Sequence, residues 1–250
     1  MSRIDAPRVA LLAITKHASN QIRALAPKLP EAEIIIGEKF AHVMKDMPNK
    51  VIVSRGPLRP QMGGIFSGYD QLVFFVSLGA VVRLIAPHLK SKEEDPGVLV
   101  VDDLGQFVIP VLSGHVGGAN AFAERLAQLL DATPVLTTAS DAGKTIAVDI
   151  LGRELGWRVE APKTNITRAC AHVVNEEAVA LVQECGSRDW WTRPMPLPAN
   201  IHLFDDFEQI DPDHYKAVLW VTRREIPAEL WQRLDEKLVV YRPPEGQEHA

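Results

Sequence analysis

Ser113-Gly114-His115-Val116-Gly117-Gly118-Ala119-Asn120 joins two runs of different period. Before it, Phe107–Leu112 is apolar and strand-like; after it, Ala121–Leu130 puts Phe122, Leu126, Leu129 and Leu130 on one helical face. Strand, glycine-rich turn and helix together are the repeating unit of α/β folds. Glycine lacks a Cβ, so the backbone of such a turn is open to close approach. The helix start also aims N–H groups and the positive end of its dipole at the turn, which suits a carboxylate or phosphate. The spacing G-H-V-G-G is neither a Rossmann G-x-G-x-x-G nor a Walker loop, since no Lys-Ser/Thr follows. Two readings stay open. The turn is an anion site flanked by His115 and Asn120, or its glycines serve only tight packing.

The same alternation extends outward. Val9–Ile14 is long enough for a strand buried on both faces. A helix follows through Ile22, Leu25, Ala26 and Leu29, and Pro30 stops it. Strands are expected at Glu33–Ile36 and Val51–Val53, with a short helix at Phe40–Met47 between them. Pro57–Gly68 reads as a turn and one short helix. Leu72–Val76 is the clearest buried strand, and a helix over Ala80–Ala86 follows. Gly97–Asp102 and Phe107–Leu112 flank Asp103-Leu104-Gly105-Gln106 and predict a hairpin. Beyond the glycine turn come a strand at Pro134–Thr138, a loop at Asp141–Gly143 and a helix at Ala147–Leu155, closed by Gly156.

The expectation is an α/β fold: a mostly parallel layered sheet with an antiparallel hairpin over residues 1–156, then a second, smaller α/β domain over 157–245 and a polar tail at 246–250. The second domain should hold helices at Thr164–Ala171 and Glu229–Leu234. Its strands are expected at Ala178–Gln183, Ala217–Thr222 and Leu238–Tyr241.

Composition narrows the function. The 27 basic and 32 acidic residues leave a net charge of −5, which argues against nucleic acid or an anionic membrane as partner. Cys170 and Cys185 are too few for a disulfide scaffold and fit no metal-ligand spacing, so they read as ordinary thiols and no metal site is expected. The first seven residues carry no signal pattern, and no apolar run approaches the roughly 20 residues of a membrane helix. A soluble, cytoplasmic protein is expected.

In a parallel α/β sheet, the loops leaving the carboxyl ends of the strands share one edge, and ligands bind there. Those loops are expected to be Thr15-Lys16-His17, Ser77–Gly79, Ser113–Asn120 and Thr137–Asp141. The candidate catalytic residues are His115, Lys16 and His17. The candidate binding residues are Arg83, Gly79, Ser113, Gly114, Gly117, Gly118, Asn120, Thr137, Thr138 and Asp141. Each has a plainer explanation. His115 can bond a backbone carbonyl, and Lys16 and His17 can form a solvated turn. Arg83, in an otherwise apolar helix, needs solvent or an acid. Thr137, Thr138 and Asp141 can cap a helix. Asp102 and Asp103 read as hairpin-turn residues, and Glu93-Glu94-Asp95 as a solvated loop.

Several segments, in order, resemble the CbiG family of cobalamin biosynthesis. They are Ala13–His17, Ile65-Phe66 with Tyr69-Asp70, Gly79–Pro87, Lys90 and Lys92 with Asp95–Val98 and Val101-Asp102, Ser113–Asn120, and Pro134–Ala139. Val182-Gln183-Glu184 followed by Gly186 is similar to the family's middle region. The resemblance implies a cobalt-precorrin-5A hydrolase of the anaerobic pathway. Its substrate is a cobalt corrinoid with many carboxylate arms and a δ-lactone; the lactone opens and a two-carbon fragment leaves as acetaldehyde, giving cobalt-precorrin-5B. Such a step needs an activated water, an oxyanion stabiliser and anion sites.

On that reading His115 is the acid/base, the N–H groups of Gly117 and Gly118 hold an oxyanion or carboxylate, and Lys16 and Arg83 pair with acetate or propionate arms. Cobalt belongs to the substrate, so no cofactor of the protein's own is expected. Full-length members carry a further C-terminal domain that these residues do not match. This keeps open a non-catalytic corrinoid-binding or scaffolding subunit, partnered by a separate C-terminal-domain protein or other corrin-pathway enzymes; a homodimer is a further possibility. A third class, an α/β regulator binding an anion such as a nucleotide, rests on the glycine turn alone.

Overall fold

The computed structural model describes residues 7–246. The first six residues, read above for a signal pattern, and residues 247–250 of the expected tail lie outside the described residues. The chain forms two compact units that part between Thr137 and Thr138.

The first unit holds a seven-stranded sheet. Its strands are β1 (Val9–Ala13), β2 (Ala32–Gly37), β3 (Val51–Ser54), β4 (Gln71–Phe75), β5 (Gly97–Val101), β6 (Phe107–Leu112) and β7 (Thr133–Pro134), in the order β3-β2-β1-β4-β5-β6-β7. The first five are mutually parallel, with Val9 in register with both Ala32 and Gln71. β6 turns back antiparallel to β5, and β7 runs parallel to β6. β1, β4 and β5 are buried at every residue. Their side chains alternate between two layers, which is why they read as unbroken apolar runs. Val9, Leu11, Ala13, Val73 and Phe75 pack beneath helices α1 (Lys16–Leu25) and α4 (Ala119–Leu130). Ala10, Leu12, Leu72 and Phe74 pack beneath α2 (Met62–Gly68) and α3 (Leu78–Ile85). The hairpin closes as expected: both Asp102 carboxylate oxygens accept turn N–H groups, from Leu104 at 3.1 Å and Phe107 at 2.6 Å.

The second unit holds a five-stranded sheet. A single helical turn, α5 (Ala139–Ala142), precedes β8 (Arg158–Glu160), α6 (Lys163–Val174), β9 (Val179–Gln183), β10 (Ile201–Phe204), β11 (Ala217–Val221), α7 (Ala228–Arg233) and β12 (Leu238–Arg242). The order is β10-β9-β11-β12-β8, parallel except for β8 against β12. The stretch 138–156, grouped above with the first domain, lies in this unit. Ile146, Val148 and Leu151 are buried with Trp157, Leu181 and Tyr241, and Tyr241 Oη donates to the Val148 carbonyl at 2.7 Å.

Several local expectations change. Pro134–Thr138 gives the sheet only Thr133–Pro134: after Val135 donates to the Val108 carbonyl at 2.8 Å, the chain leaves the edge, and proline offers no ladder donor to hold it there. Phe40–Met47 is a 3-10 run, Glu38–Met44. Asp141 lies in α5 rather than a loop. Ala147–Leu155 is two 3-10 turns, Val148–Ile150 and Arg153–Leu155, instead of one helix. Gly152 breaks it with φ +70°, and the Trp157 ring occupies the place a Cβ would take. The strands β8 and β10 have no counterpart in the sequence reading. Each is short, and β8 reads charged-apolar-charged.

A Cβ on Gly152 would lie 2.0 Å from the Trp157 ring in a left-handed backbone. Gly152→Ala should therefore destabilise by about 3 kcal/mol. Gly64→Ala, in α2 with open space around it, should stabilise by up to about 1 kcal/mol. Urea-unfolding midpoints of the two variants check both; similar midpoints would contradict this account of the turn.

Candidate functional site

The direction of β6 decides where the candidates fall. Because β6 runs opposite to β5, the loop Ser113–Gly118 leaves at the edge where β4 and β5 begin. The Gln71 Nε2 at the start of β4 donates to the Gly117 carbonyl at 2.5 Å. A Cβ on Gly117 would come within 3.3 Å of the Gly97 nitrogen at the start of β5. Thr15-Lys16-His17 and Ser77-Leu78-Gly79 follow the carboxyl ends of β1 and β4, a strand length away, about 16 Å. The expected single cradle is thus two groups on opposite edges. Thr137 leaves β7 on the edge of the glycine loop, because β7 is parallel to β6. Thr138 and Asp141 lie in the second unit. There Thr138 Oγ1 donates to Asp141 Oδ2 at 2.5 Å, and Arg193 donates to Asp141 Oδ1 at 2.9 Å, so the pair fastens the start of α5.

The glycine loop is a closed joint. Gly118 N–H donates to the His115 carbonyl at 2.9 Å, Ala119 N–H to Ser113 at 3.2 Å and Asn120 N–H to Gly114 at 3.0 Å. The first donors of α4 thus bond back into the loop, and the expected oxyanion role of the Gly118 N–H is taken internally. Gly118 stands at φ +77°. A Cβ on Gly117 would sit 2.4 Å from Ser113 Cβ, and one on Gly114 would sit 2.6 Å from Asn120 Oδ1. Close packing accounts for the glycines.

The rest of this amino edge is also internally matched. Glu33 accepts from Lys50 Nζ at 2.8 Å and from Tyr69 Oη at 2.6 Å. Arg8 lies over the Tyr69 ring at 5.2 Å, and its N–H bonds Asp70 at 2.8 Å. The Lys50 and Tyr69 hydrogen bonds hold the Glu33 carboxyl below its ordinary value. Burial, then the bond to Glu33, pushes Tyr69 up to about 12. In the 93–95 cluster, Asp95 is buried and accepts the Lys90 N–H with both oxygens. That makes it a loop anchor, and no group of metal-holding side chains occurs among the described residues.

The carboxyl edge differs. β1 lies between β2 and β4, so the chain leaves β1 to one side and returns on the other. A crevice opens outside the carboxyl ends of strands at such a switch point. α1 and α3 start there, after β1 and β4. Thr15 caps α1, its hydroxyl accepting from Ala18 N–H at 3.1 Å. Neither helix has an acid in its first turn. Instead Lys16 and His17 open α1, both exposed. Arg83 folds back to donate to the Gly79 carbonyl at 2.8 Å. A Cβ on Gly79 would press to 3.1 Å from that guanidinium, so the glycine makes room for the arginine.

No carboxylate pairs with Lys16, His17 or Arg83 among the described residues. Lys16 is a cation at the start of α1 and opposes that helix's dipole, at about 0.3–1 kcal/mol; an anion bound there removes that conflict. Sequence reasoning missed the apolar partners. Ile14, Leu78 and Val82 are each more than 40% exposed around these cations. Ile14 was legible as the last residue of a strand run overhanging the sheet.

Residues 61–141 match the family model described as cobalamin synthesis G N-terminal, and residues 146–243 the one described as cobalamin biosynthesis central region. A cobalt-precorrin-5A hydrolase of Priestia megaterium is 42% identical over 234 residues, covering 94% of this chain and 62% of that protein. Its counterpart in Salmonella typhimurium is 33% identical over 184 residues, covering 70% and 50%. The chain thus spans between half and just under two thirds of the length of these relatives. The solved structure of a cobalamin biosynthesis protein G homolog from Sulfolobus solfataricus aligns with a TM-score of 0.49 at 20% identity, covering 94% of this chain and 60% of that one. Among the described residues no helix is long and apolar enough to cross a membrane.

The Tyr69 shift has a stability signature. Its pKa of about 12 when folded lies above the ordinary value of 10.0. Its contribution is therefore complete below pH 10 and is lost as pH rises toward 12. Tyr69→Phe should flatten the alkaline decline of the unfolding midpoint in that window. Parallel alkaline profiles for the two proteins would refute the assignment.

Proposed function

Because the chain belongs to the CbiG family of cobalamin synthesis, through that family's N-terminal and central regions, we propose that it hydrolyses the δ-lactone of cobalt-precorrin-5A with release of acetaldehyde. The observation that carries the reading is the switch point between β1 and β4. Lys16, His17 and Arg83 gather there, without carboxylate partners, beside exposed Ile14, Leu78 and Val82. A ring with apolar faces and carboxylate arms complements that surface: Lys16 and Arg83 take the arms as charge-assisted pairs, and the apolar side chains take the ring edge.

One water is consumed. It adds to the lactone carbonyl, the acyl–oxygen bond breaks, and a carboxylate and an alcohol result. His17 takes the proton from the water and returns it to the departing oxygen. The positive ends of α1 and α3 steady the oxyanion. The alcohol then loses its proton, its oxygen becomes the aldehyde carbonyl, and the carbon–carbon bond to the macrocycle breaks with its electron pair moving into the ring. The acid–base role passes from His115, on the opposite edge, to His17. Cobalt arrives with the substrate, water is the co-reactant, and the protein needs no cofactor of its own. The reading places the enzyme in the cytoplasm, with neither nucleic acid nor membrane as partner.

Anaerobic incubation with cobalt-precorrin-5A, followed by acetaldehyde assay and corrinoid mass, tests the proposal directly. Lys16→Ala and Arg83→Gln should each raise KM about tenfold at similar kcat, by removing one charged contact. His17→Ala should lower kcat by about 10²-fold or more, while His115→Ala stays within about twofold. Lost turnover in His115→Ala with normal turnover in His17→Ala would move the chemistry to the amino edge. Tight corrinoid binding without acetaldehyde would reject hydrolysis by this chain.

A further inference from the structure

The second unit has a switch point of its own. β9 lies between β10 and β11, so the chain leaves β9 to one side and returns on the other. Outside those strand ends a crevice of about 160 Å³ lies among Trp190, Trp191, Leu197, Leu203 and Phe204, with Gln183 and Arg188 also lining it. Its walls are tied by hydrogen bonds. Trp190 Nε1 donates to Gln183 Oε1 at 2.8 Å, and Trp191 Nε1 donates to the Met195 carbonyl at 2.7 Å. The two rings meet edge-on at 6.3 Å. The buried Gln183 amide spans the carbonyls of Cys185, Gly186 and Ser187 at 3.3, 3.2 and 2.9 Å, which fixes the loop leading to Arg188.

Every indole donor of the wall is thus engaged inside the protein. Among the lining residues Arg188 is the one cation, and Arg193, held by Asp141, lies over the Trp191 ring at 5.9 Å. Arg188 pairs with Asp205, and the two side chains are 52% and 72% exposed. Such a pair contributes little in water, so an incoming carboxylate can exchange with Asp205. At about 30 Å³ per water, the space holds roughly five water volumes, the size of a short acid arm and far less than a macrocycle.

We propose that this crevice is a binding site for one carboxylate on a short apolar arm, the methylenes lying against Trp190, Trp191 and Leu203 and the carboxylate on Arg188. Resting on the function proposed above, the bearer is a peripheral acid arm of the tetrapyrrole, and the crevice takes no part in the chemistry.

The test is a titration of the full chain with 3-phenylpropionate and its neutral amide. It is followed by NMR of the indole N–H signals, with Trp190→Phe and Trp191→Phe to assign the two wall residues. Arg188 is half exposed and its ion pair lies in solvent, so Arg188→Gln leaves the core untouched. The expected result is that the acid shifts the Trp190 and Trp191 signals and that Arg188→Gln weakens it about tenfold, as loss of one charge-assisted contact does. The amide should bind wild type and variant alike. Unmoved wall indoles up to the solubility of the acid would overturn the proposal, as would equal acid affinity in Arg188→Gln. Neither readout needs turnover. A chain that releases acetaldehyde but ignores the acid defeats this inference alone, and one that binds the acid without turnover defeats the hydrolase reading alone.

Discussion

The pairing of β1 on both sides, to β2 and to β4, is the constraint from which the first unit follows. It buries Val9–Ala13 completely, and it forces the chain to cover both faces of the sheet with helices. It also sets the starts of α1 and α3 side by side at the ends of neighbouring strands. The register is fixed on both flanks, Ala13 standing opposite Ile36 and Phe75. Ile14 and Val76, the next residues, therefore leave together. Whatever chemistry the carboxyl edge performs is carried by side chains whose positions this pairing dictates.

The two edges of the sheet are electrostatically unlike. The amino edge pairs its charges: Lys50 with Glu33, Tyr69 with Glu33, and the Arg8 N–H with Asp70. Such a network closes on itself and joins the starts of β1, β2, β3 and β4. The carboxyl edge leaves Lys16 and His17 without carboxylates at the positive end of α1, and Arg83 without one on α3. Folding alone does not favour that arrangement, and residues that break a local rule mark the places where a protein meets something else.

The buried strands were legible because each is an unbroken apolar run, and the hairpin because an Asp/Gly turn joins two of them. The end of the first helical run was legible from Pro30. Opaque were features set by partners distant in sequence. β8 and β10 are strands only because β12 and β9 offer them ladders. The candidate residues themselves were visible, but their grouping was not. One strand reversal sent His115 and the glycines to the far edge. A hairpin was foreseen, and its geometric consequence follows from the antiparallel pairing: the loop after its second strand leaves where its first strand began.

Both free edges of the seven-stranded sheet are blunt. On one side β3 has four residues and runs into Arg55-Gly56-Pro57; on the other β7 has two, and one of them is Pro134. An open strand edge is a template on which another chain can add. Here one edge is too short to recruit a neighbour and is closed by a cation and a proline, and the other lacks a donor at half its length. A sheet with three strands buried in continuous apolar sequence would otherwise be exposed to stacking with its own copies while still folding. These truncated borders guard the nascent chain against aggregation without adding a residue to its core.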